Sequence, residues 1–323
     1  MLTIGLESIA GYALLAMARM ARYVPGLTVP GYCRIVEGHY SARRKPRVFF
    51  RPMSFNELIQ RNKVFLRDPR LQMTSDKYLV RDYVRDKIGE SYLIPLHAVA
   101  GDPADIAFEA LPRSFAAKAN HGSGFTIIVH DKNAIDWREA CDTLRAWLKA
   151  DYGRGHTEWA YKGIQPRVLV ETLLADSEGL LADEFRMFTF GGRVKLIQHD
   201  RGRFTPHHCK DSFDENWRPL AVSYYAPRSD RPIERPPELA ELIWIAELLA
   251  ERFDFLRVDL YLCDQRIFFG ELTHYPNSGL AAFTPSEFDL ALGDLWRRGT
   301  PIPERFYSRS VPLRGQRLAQ PSR

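Results

Sequence analysis

Phe253-Asp254-Phe255-Leu256-Arg257-Val258-Asp259-Leu260-Tyr261, followed after a short gap by Ile267-Phe268-Phe269-Gly270-Glu271-Leu272-Thr273, is the stretch on which the reading turns. Both segments are rich in aromatic and β-branched residues, and Asp264-Gln265 falls between them where a turn would sit. The pattern predicts a β-hairpin, or at least two adjacent antiparallel strands. Arg257 and Asp259 stand two residues apart, so they point to one face of the first strand. If the strands pair, Glu271 projects onto that face beside Gly270, where backbone can approach a ligand closely. Two carboxylates at a fixed separation suit a hard divalent cation, and a neighbouring arginine suits the phosphate that such a cation carries. Taken alone, these two strands fit a solvated sheet face with a surface ion pair equally well.

With 323 residues the chain is long enough for two lobes and a large core, and 45% hydrophobic with 26% charged content is ordinary for a globular protein. The formal charge of +5, from 45 basic and 40 acidic residues, is modest and partly confined to tracts such as Arg43-Arg44-Lys45. It suits an anionic substrate or a membrane surface, and it lacks the footprint of a dedicated nucleic-acid binder. Cys33, Cys141, Cys209 and Cys263 form no CxxC pair, so neither a disulfide framework nor a thiolate zinc site is expected. Ile9 to Ala18 is apolar, with Glu7 before it and Arg19 and Arg22 behind. It is too short for a membrane span and has no export-signal flanks, so a packed or interfacial helix is expected, and a cytoplasmic protein. Residues 1–50 leave open a peripheral contact with a membrane.

From Pro52 the pattern sharpens. Ser54 with Glu57 three residues on is a capping box, predicting a helix from Phe55 to about Arg67. Asp76 to about Ile88 reads as a second helix, with Lys77 and Arg81 one turn apart on its charged side. Tyr92 to Leu96 reads as a strand. Phe115 to Val129 reads as strand, glycine-rich turn, strand, with Lys118 just before Asn120-His121-Gly122-Ser123-Gly124. Gly122 and Gly124 permit unusual backbone angles, so exposed N–H groups there can embrace a phosphate, although the Walker pattern is absent. Trp137 to about Tyr152 is an amphipathic helix, and Arg167 to Leu174 a buried strand carrying Glu171. Glu184 to Gln198 is a hairpin turned at Gly191-Gly192, with Glu184 and Arg186 on one face. Adjacent His207 and His208 point in opposite directions on an extended chain and find no partner pair for zinc. Helices are expected at Pro236 to about Arg252 and at Pro285 to Arg297.

In this order the motifs resemble the ATP-grasp superfamily, and within it the TupA-like family, named for a teichuronopeptide-biosynthesis protein. The resemblance runs from about Pro52 to Trp296. Its carriers are the Pro52-to-Glu57 and Ser75-to-Val84 segments, Lys118 to Gly124, Phe213-Asp214-Glu215-Asn216-Trp217, Phe253 to Tyr261, and Gly270-Glu271-Leu272-Thr273. It implies an α+β fold in which two α+β lobes clasp ATP, preceded by a mostly helical N-terminal region. The implied division is 1–70 for that region, 71–175 and 176–302 for the two lobes, and 303–323 for a C-terminal tail. By the same resemblance Lys77 and Lys118 contact the nucleotide phosphates, and Asn120, His121, Gly122, Ser123 and Gly124 form a lid. Glu171 and Leu173 face the adenine, and Glu184 takes the ribose. Asp259 and Glu271 bind magnesium, and Arg257 acts at the transferring phosphate. Many ATP-grasp ligases carry Asn two residues after the second metal acid; here Thr273 stands there. Arg186, Lys195 and Arg201 remain alternatives for a further phosphate contact.

The chemistry implied is an ADP-forming carboxylate–amine ligase working through an acyl phosphate. By family likeness its acceptor is a carboxylate-bearing sugar of uronic-acid type in cell-surface polysaccharide synthesis, joined to an amine. A sugar or polysaccharide kinase, or a weakened nucleotide-binding accessory protein, are the rival expectations.

Overall fold

The computed structural model describes residues 51–308 except 156, 177, 178 and 204. The helix expected at Ile9 to Ala18 lies outside these residues, as does most of the C-terminal tail. Helix α1 (Phe55–Phe65) starts at the expected box: Ser54 accepts the Glu57 amide at 3.3 Å, and Glu57 accepts the Ser54 amide at 3.1 Å. Helices α2 (Pro69–Ser75) and α3 (Val80–Ile88) follow. The helix expected from Asp76 therefore begins later. Asp76 Oδ1 accepts the Tyr78 amide and the Asn120 side chain, both at 2.8 Å, and these bonds hold residues 76–79 in a turn of their own. The strand expected at Tyr92 to Leu96 is also displaced. Glu90–Tyr92 forms a 3-10 turn, and the strand starts after Pro95, which has no amide hydrogen to give to a ladder.

The first sheet takes β1 (Leu96–Ala100), β2 (Phe115–Ala119), β3 (Thr126–Val129) and β4 (Val168–Thr172) in the order β1-β4-β2-β3, antiparallel throughout. Helix α4 (Trp137–Leu148) covers it, and Phe115, Val129, Leu144, Val168 and Val170 make a core of their own. The second sheet is built from β5 (Asp183–Phe190), β6 (Arg193–Arg201), β7 (Cys209–Phe213) and β8 (Pro219–Leu220). After the short strand β9 (Ser223–Tyr224) and helix α5 (Leu239–Ala250), it is completed by β10 (Phe255–Cys263) and β11 (Arg266–Thr273). Its order is β11-β10-β5-β6-β7-β8. Strand β12 (Phe283–Thr284) pairs with β9, and α6 (Glu287–Arg298) is followed by a 3-10 turn at Glu304–Phe306.

Both expected hairpins form with two-residue turns. Gly191 and Gly192 take φ of 56° and 74°, and Asp264 and Gln265 take 49° and 61°. Mirror-image turns of this kind need positive φ at both positions to match the twist of the strands. Glycine does this without cost, whereas Gln265 carries a Cβ in the left-handed region.

Helix α1 is rooted in the second sheet. Phe55 is fully buried, with its ring 5.1 Å from Phe255, 5.8 Å from Trp296 and 6.0 Å from Phe188. The approach of α1 to α6 depends on Gly293, where a Cβ would lie 2.0 Å from the Met53 carbonyl oxygen and 2.8 Å from Ser54 Cα. Gly293→Ala should therefore lower stability by about 3 kcal/mol in urea unfolding, because backbone rather than a flexible side chain has to move. Gln265→Gly should raise it by about 1 kcal/mol, moving Tm up by ~2–4 °C in a thermal melt.

Candidate active site

Register brings the opening hairpin's charged residues together. Asp259 pairs with Glu271 on β11 and with Arg186 on β5, while Arg257 pairs with Thr273. Directly paired residues share a face, so Glu271, Asp259 and Arg186 form one row across three strands. Gly270 is the extra residue of a β-bulge between the Asp259–Glu271 and Leu260–Phe269 pairs, and a Cβ there would meet the Asp259 carbonyl oxygen at 2.9 Å. The close approach expected at Gly270 is thus to the neighbouring strand. The bulge re-aims Glu271, as bulges beside sites do.

Arg257 is the buried hub. Its Nε donates to Asp259 Oδ1 at 2.7 Å, and its Nη2 to Asp259 Oδ2 at 2.5 Å, Thr273 Oγ1 at 3.0 Å and Glu271 Oε1 at 3.3 Å. Thr273 in turn donates to Glu271 Oε1 at 3.0 Å. Burial pushes the Asp259 carboxyl up to about 7 against the pull of Arg257, with Glu184 and Glu271 adding to the rise. Glu271 goes the other way. Its surroundings of protein favour the neutral form, but Lys77 and Arg257 outweigh this and hold it well below the usual carboxylate range.

Two lysines face these residues, Lys77 from the turn at 76–79 and Lys118 from β2. Lys77 Nζ lies 3.3 Å from Glu271 Oε2 and donates to the Gly122 carbonyl at 2.8 Å, so it bridges the glycine-rich loop and the second sheet. Lys118 Nζ lies 2.5 Å from Glu171 Oε2, and Arg81 holds the other oxygen at 3.4 Å. The loop's residues divide. Ser123 and Gly124 line the cleft between the sheets, whereas Asn120 and His121 are buried. Asn120 binds Asp76 and the Arg167 amide, and His121 Nε2 meets the Ala150 carbonyl. Gly122 is packed so tightly that a Cβ would meet the Phe125 ring at 2.7 Å.

On the second sheet Arg186 Nη2 bonds Glu184 Oε2 at 2.9 Å and Asp200 Oδ2 at 2.7 Å. Burial resists the charge on Glu184, yet Arg186 and Arg203 together hold its carboxyl below the ordinary value. Lys210 lies 3.1 Å from Asp200, and its burial, with Arg186 adding, pulls its ammonium down to about 8. Arg203 and Lys210 line the cleft, and nothing in their local sequence marks them; only the folding of β7 beside β6 brings Lys210 in. Lys195 pairs with Glu215 and Arg201 with Asp211, and neither lines the cleft. Of the three alternatives, Arg186 is the one that faces it.

The cleft has a volume of about 660 Å³. Ile94, Ile128, Leu173 and Leu181 line an apolar part, and the charged rows above line the rest. Thr172, Leu173 and Leu174 reach it from the end of β4, while the Glu171 carboxylate stays on Lys118 and Arg81. A long slot with an apolar stretch leading to clustered cations can take a flat base at one part and an anion at the other.

A clasp of two antiparallel sheets with helices, holding such a slot between them, is the ATP-grasp architecture. The chain belongs to the TupA-like ATP-grasp family: the family model described as "TupA-like ATPgrasp" matches residues 57–297. Comparison with curated proteins gives no match. Among solved structures, D-alanine–D-alanine ligase from Bacillus anthracis complexed with ATP is 17% identical with a TM-score of 0.37, covering 62% of this chain and 54% of that one. L-amino acid ligase from Bacillus licheniformis is 13% identical with a TM-score of 0.47, covering 90% of this chain and 65% of that one. N5-carboxyaminoimidazole ribonucleotide synthetase in its ADP complex is 12% identical, at a TM-score of 0.38 and 62% and 45% coverage. The chain spans about half the length of the first of these structures.

Removing Arg257 would leave Asp259 buried without its principal partner. Arg257→Leu should therefore cost about 3–5 kcal/mol in urea unfolding, and Arg257→Leu with Asp259→Leu should recover most of it.

Proposed function

We propose that this protein is an ATP-dependent carboxylate–amine ligase of the ADP-forming type, with residues 71–175 and 176–302 as the two lobes of its clasp. The observation that carries this reading is the convergence of Lys77, Arg257, Glu271 and Thr273 at one point of the cleft, with Asp259 fully buried on Arg257 and not itself lining the cleft. Arg186 supports it, because its buried Nε has no hydrogen-bond partner among the described residues and so retains a donor for an anion.

A carboxylate is a poor acylating agent, since its leaving group would be oxide. Transfer of the ATP γ-phosphoryl group makes an acyl phosphate, which an amine can attack. Lys118, Arg186 and Arg257 would offset the charge spread over the phosphoryl oxygens in flight. Lys118 and Arg257 would first exchange their present carboxylate partners for phosphate oxygens. Ser123 and Gly124 would close over the phosphates and keep water from the acyl phosphate. The apolar stretch at Leu173 would receive the adenine, and Glu184 the ribose hydroxyls.

Asp259, Glu271 and Thr273 fit a magnesium ion. They offer only oxygen donors, and Asp259 is short of positive charge even with Arg257 beside it. Among the described residues no three His, Cys, Asp or Glu side chains gather for a metal, and magnesium needs only one or two carboxylates besides phosphate and water. When bound there, magnesium supplies charge neutralisation of the ATP phosphates.

The carboxylate substrate in this reading is a sugar acid of uronic type, modified on the cytoplasmic side during cell-surface polysaccharide assembly; family likeness supports it. No helix among the described residues is long and apolar enough to cross a membrane.

Phosphorus NMR of the protein with Mg-ATP, uronic-acid sugars and amino acids tests the reaction. ADP and free phosphate should appear only when acid and amine are both present. A new phosphomonoester without free phosphate would make the protein a kinase instead. Asp259→Ala and Lys118→Ala should each reduce turnover by at least about 10²-fold, and full activity in either would remove that residue from the site.

A further inference from the structure

The chain leaves β11 through a tight turn at Pro276–Gly279, and Asn277 and Ser278 of this turn line the cleft. Both take the left-handed backbone region, Asn277 at φ 45° and ψ 35°, Ser278 at φ 56° and ψ 17°, and Gly279 follows at φ 66°. A side chain is unfavourable in that region, and two such residues in succession persist only when their surroundings hold them there. The position of the turn along the slot follows from β11. Cys263 Sγ meets the Ala175 carbonyl at 3.8 Å and Leu93 pairs with Phe269, so β11 starts beside the linker that carries Leu173. From there the strand passes Glu271 and Thr273 before the chain reaches Asn277. The turn thus stands beyond the metal and phosphate residues, on the side away from the adenine stretch.

Helix α1 holds the turn from behind. Lys63 Nζ donates to Ser278 Oγ at 2.7 Å and to the Ser278 carbonyl at 3.3 Å. Gln60 Nε2 donates to the Ser278 carbonyl at 2.7 Å and to the Gly279 carbonyl at 3.2 Å. The fit is close, because a Cβ on Gly279 would meet Gln60 Nε2 and Ile59 Cγ2, each at 2.9 Å. Lys63 is 3% exposed, and burial pulls its ammonium down to about 8, although the Glu158 charge acts to raise it. An ammonium is unfavourable out of water unless it is well bonded, and this one directs its bonds onto a strained turn in the wall of the cleft. The nucleotide and metal residues assigned above include neither Lys63 nor Asn277.

We propose that this turn meets the carboxylate acceptor, a polyhydroxylated sugar acid, with the Asn277 amide bonding its hydroxyl groups and Lys63 as the residue that positions the turn. The proposal rests on the ligase reading and assigns the part of the site that selects its acceptor. A primary amide both donates and accepts hydrogen bonds, which suits hydroxyl groups that do the same. An acid held there has the γ-phosphoryl group, at Glu271 and Thr273, on its inner side. Lys63 does not line the cleft, so it acts through the turn and not on the substrate. A wall already set in one shape lowers the ordering cost of binding.

Calorimetry on the full chain, with magnesium and a non-hydrolysable ATP analogue bound first, tests this. The probes are D-glucuronate and D-galacturonate, with cyclohexanecarboxylate as a ring acid that lacks hydroxyl groups. At least one uronic acid should bind the native protein about tenfold more tightly than Asn277→Gly, and cyclohexanecarboxylate should show no such difference. Asn277→Gly should also melt ~2–4 °C higher, since glycine takes positive φ without strain. Lys63→Met should weaken the same acid about tenfold and leave the affinity for the ATP analogue unchanged. Equal acid affinity in the native protein and Asn277→Gly would overturn the proposal, as would a lower melting temperature in that variant or no binding by either uronic acid. A loss of analogue affinity in Lys63→Met that matches the loss for the acid would remove its positioning role. If Lys63→Met fails to fold by circular dichroism, Ser278→Ala takes its place, and unchanged acid affinity there removes that role. Failure of the ATP analogue to bind, seen before any acid is added, overturns the ligase reading as well.

Discussion

A buried guanidinium has to be surrounded by acceptors, and Arg257 sets this condition for the second sheet. Its fork is satisfied by Asp259, Glu271 and Thr273, all from the two strands of one hairpin. Holding them within reach requires β10 and β11 in one register, and the bulge at Gly270 adjusts that register between Asp259 and Leu260. Arg186 on β5 then continues the row. The charges stay in place because strand pairing and apolar packing on the opposite face leave them no alternative. Val258 and Leu260, pointing away from the row, are fully buried in the core with Met187 and Leu256.

The two sheets carry separate cores, so the cleft between them is bridged by few groups. Lys77 is one, joining the Gly122 carbonyl to Glu271. A single strand-like pairing of Leu93 with Phe269 is another. Bonds of this kind, made by charged side chains at the edge of a solvent-filled slot, can be exchanged for bonds to an anion at little cost. The proposed function needs that property, since the cations would be held in position while the slot is empty and released when phosphate arrives.

The hairpin at Phe253 to Thr273 was legible because alternation puts Arg257, Asp259 and Thr273 on one face whatever else the chain does, and the capping box at Ser54 was legible because it is local. The helix limits at Asp76 and the strand at Leu96 were not, because they depend on a bond from Asn120, over forty residues away, and on Pro95. Asn120 itself read as part of a loop over phosphate, and folding turned it inward onto Asp76 and Arg167.

By itself the sequence determined the kind of residues available, their local periodicity and therefore which side chains share a strand face, since these follow from backbone geometry alone. Tertiary structure decided which strands lie side by side. That choice set Arg186 rather than Lys195 or Arg201 against the cleft and brought Lys210 from β7 to Asp200. It also set Lys63 of α1 against Ser278, 215 residues further along the chain. The physical reason is that long-range pairing is fixed by the summed burial of both cores, and no short stretch of sequence contains that sum.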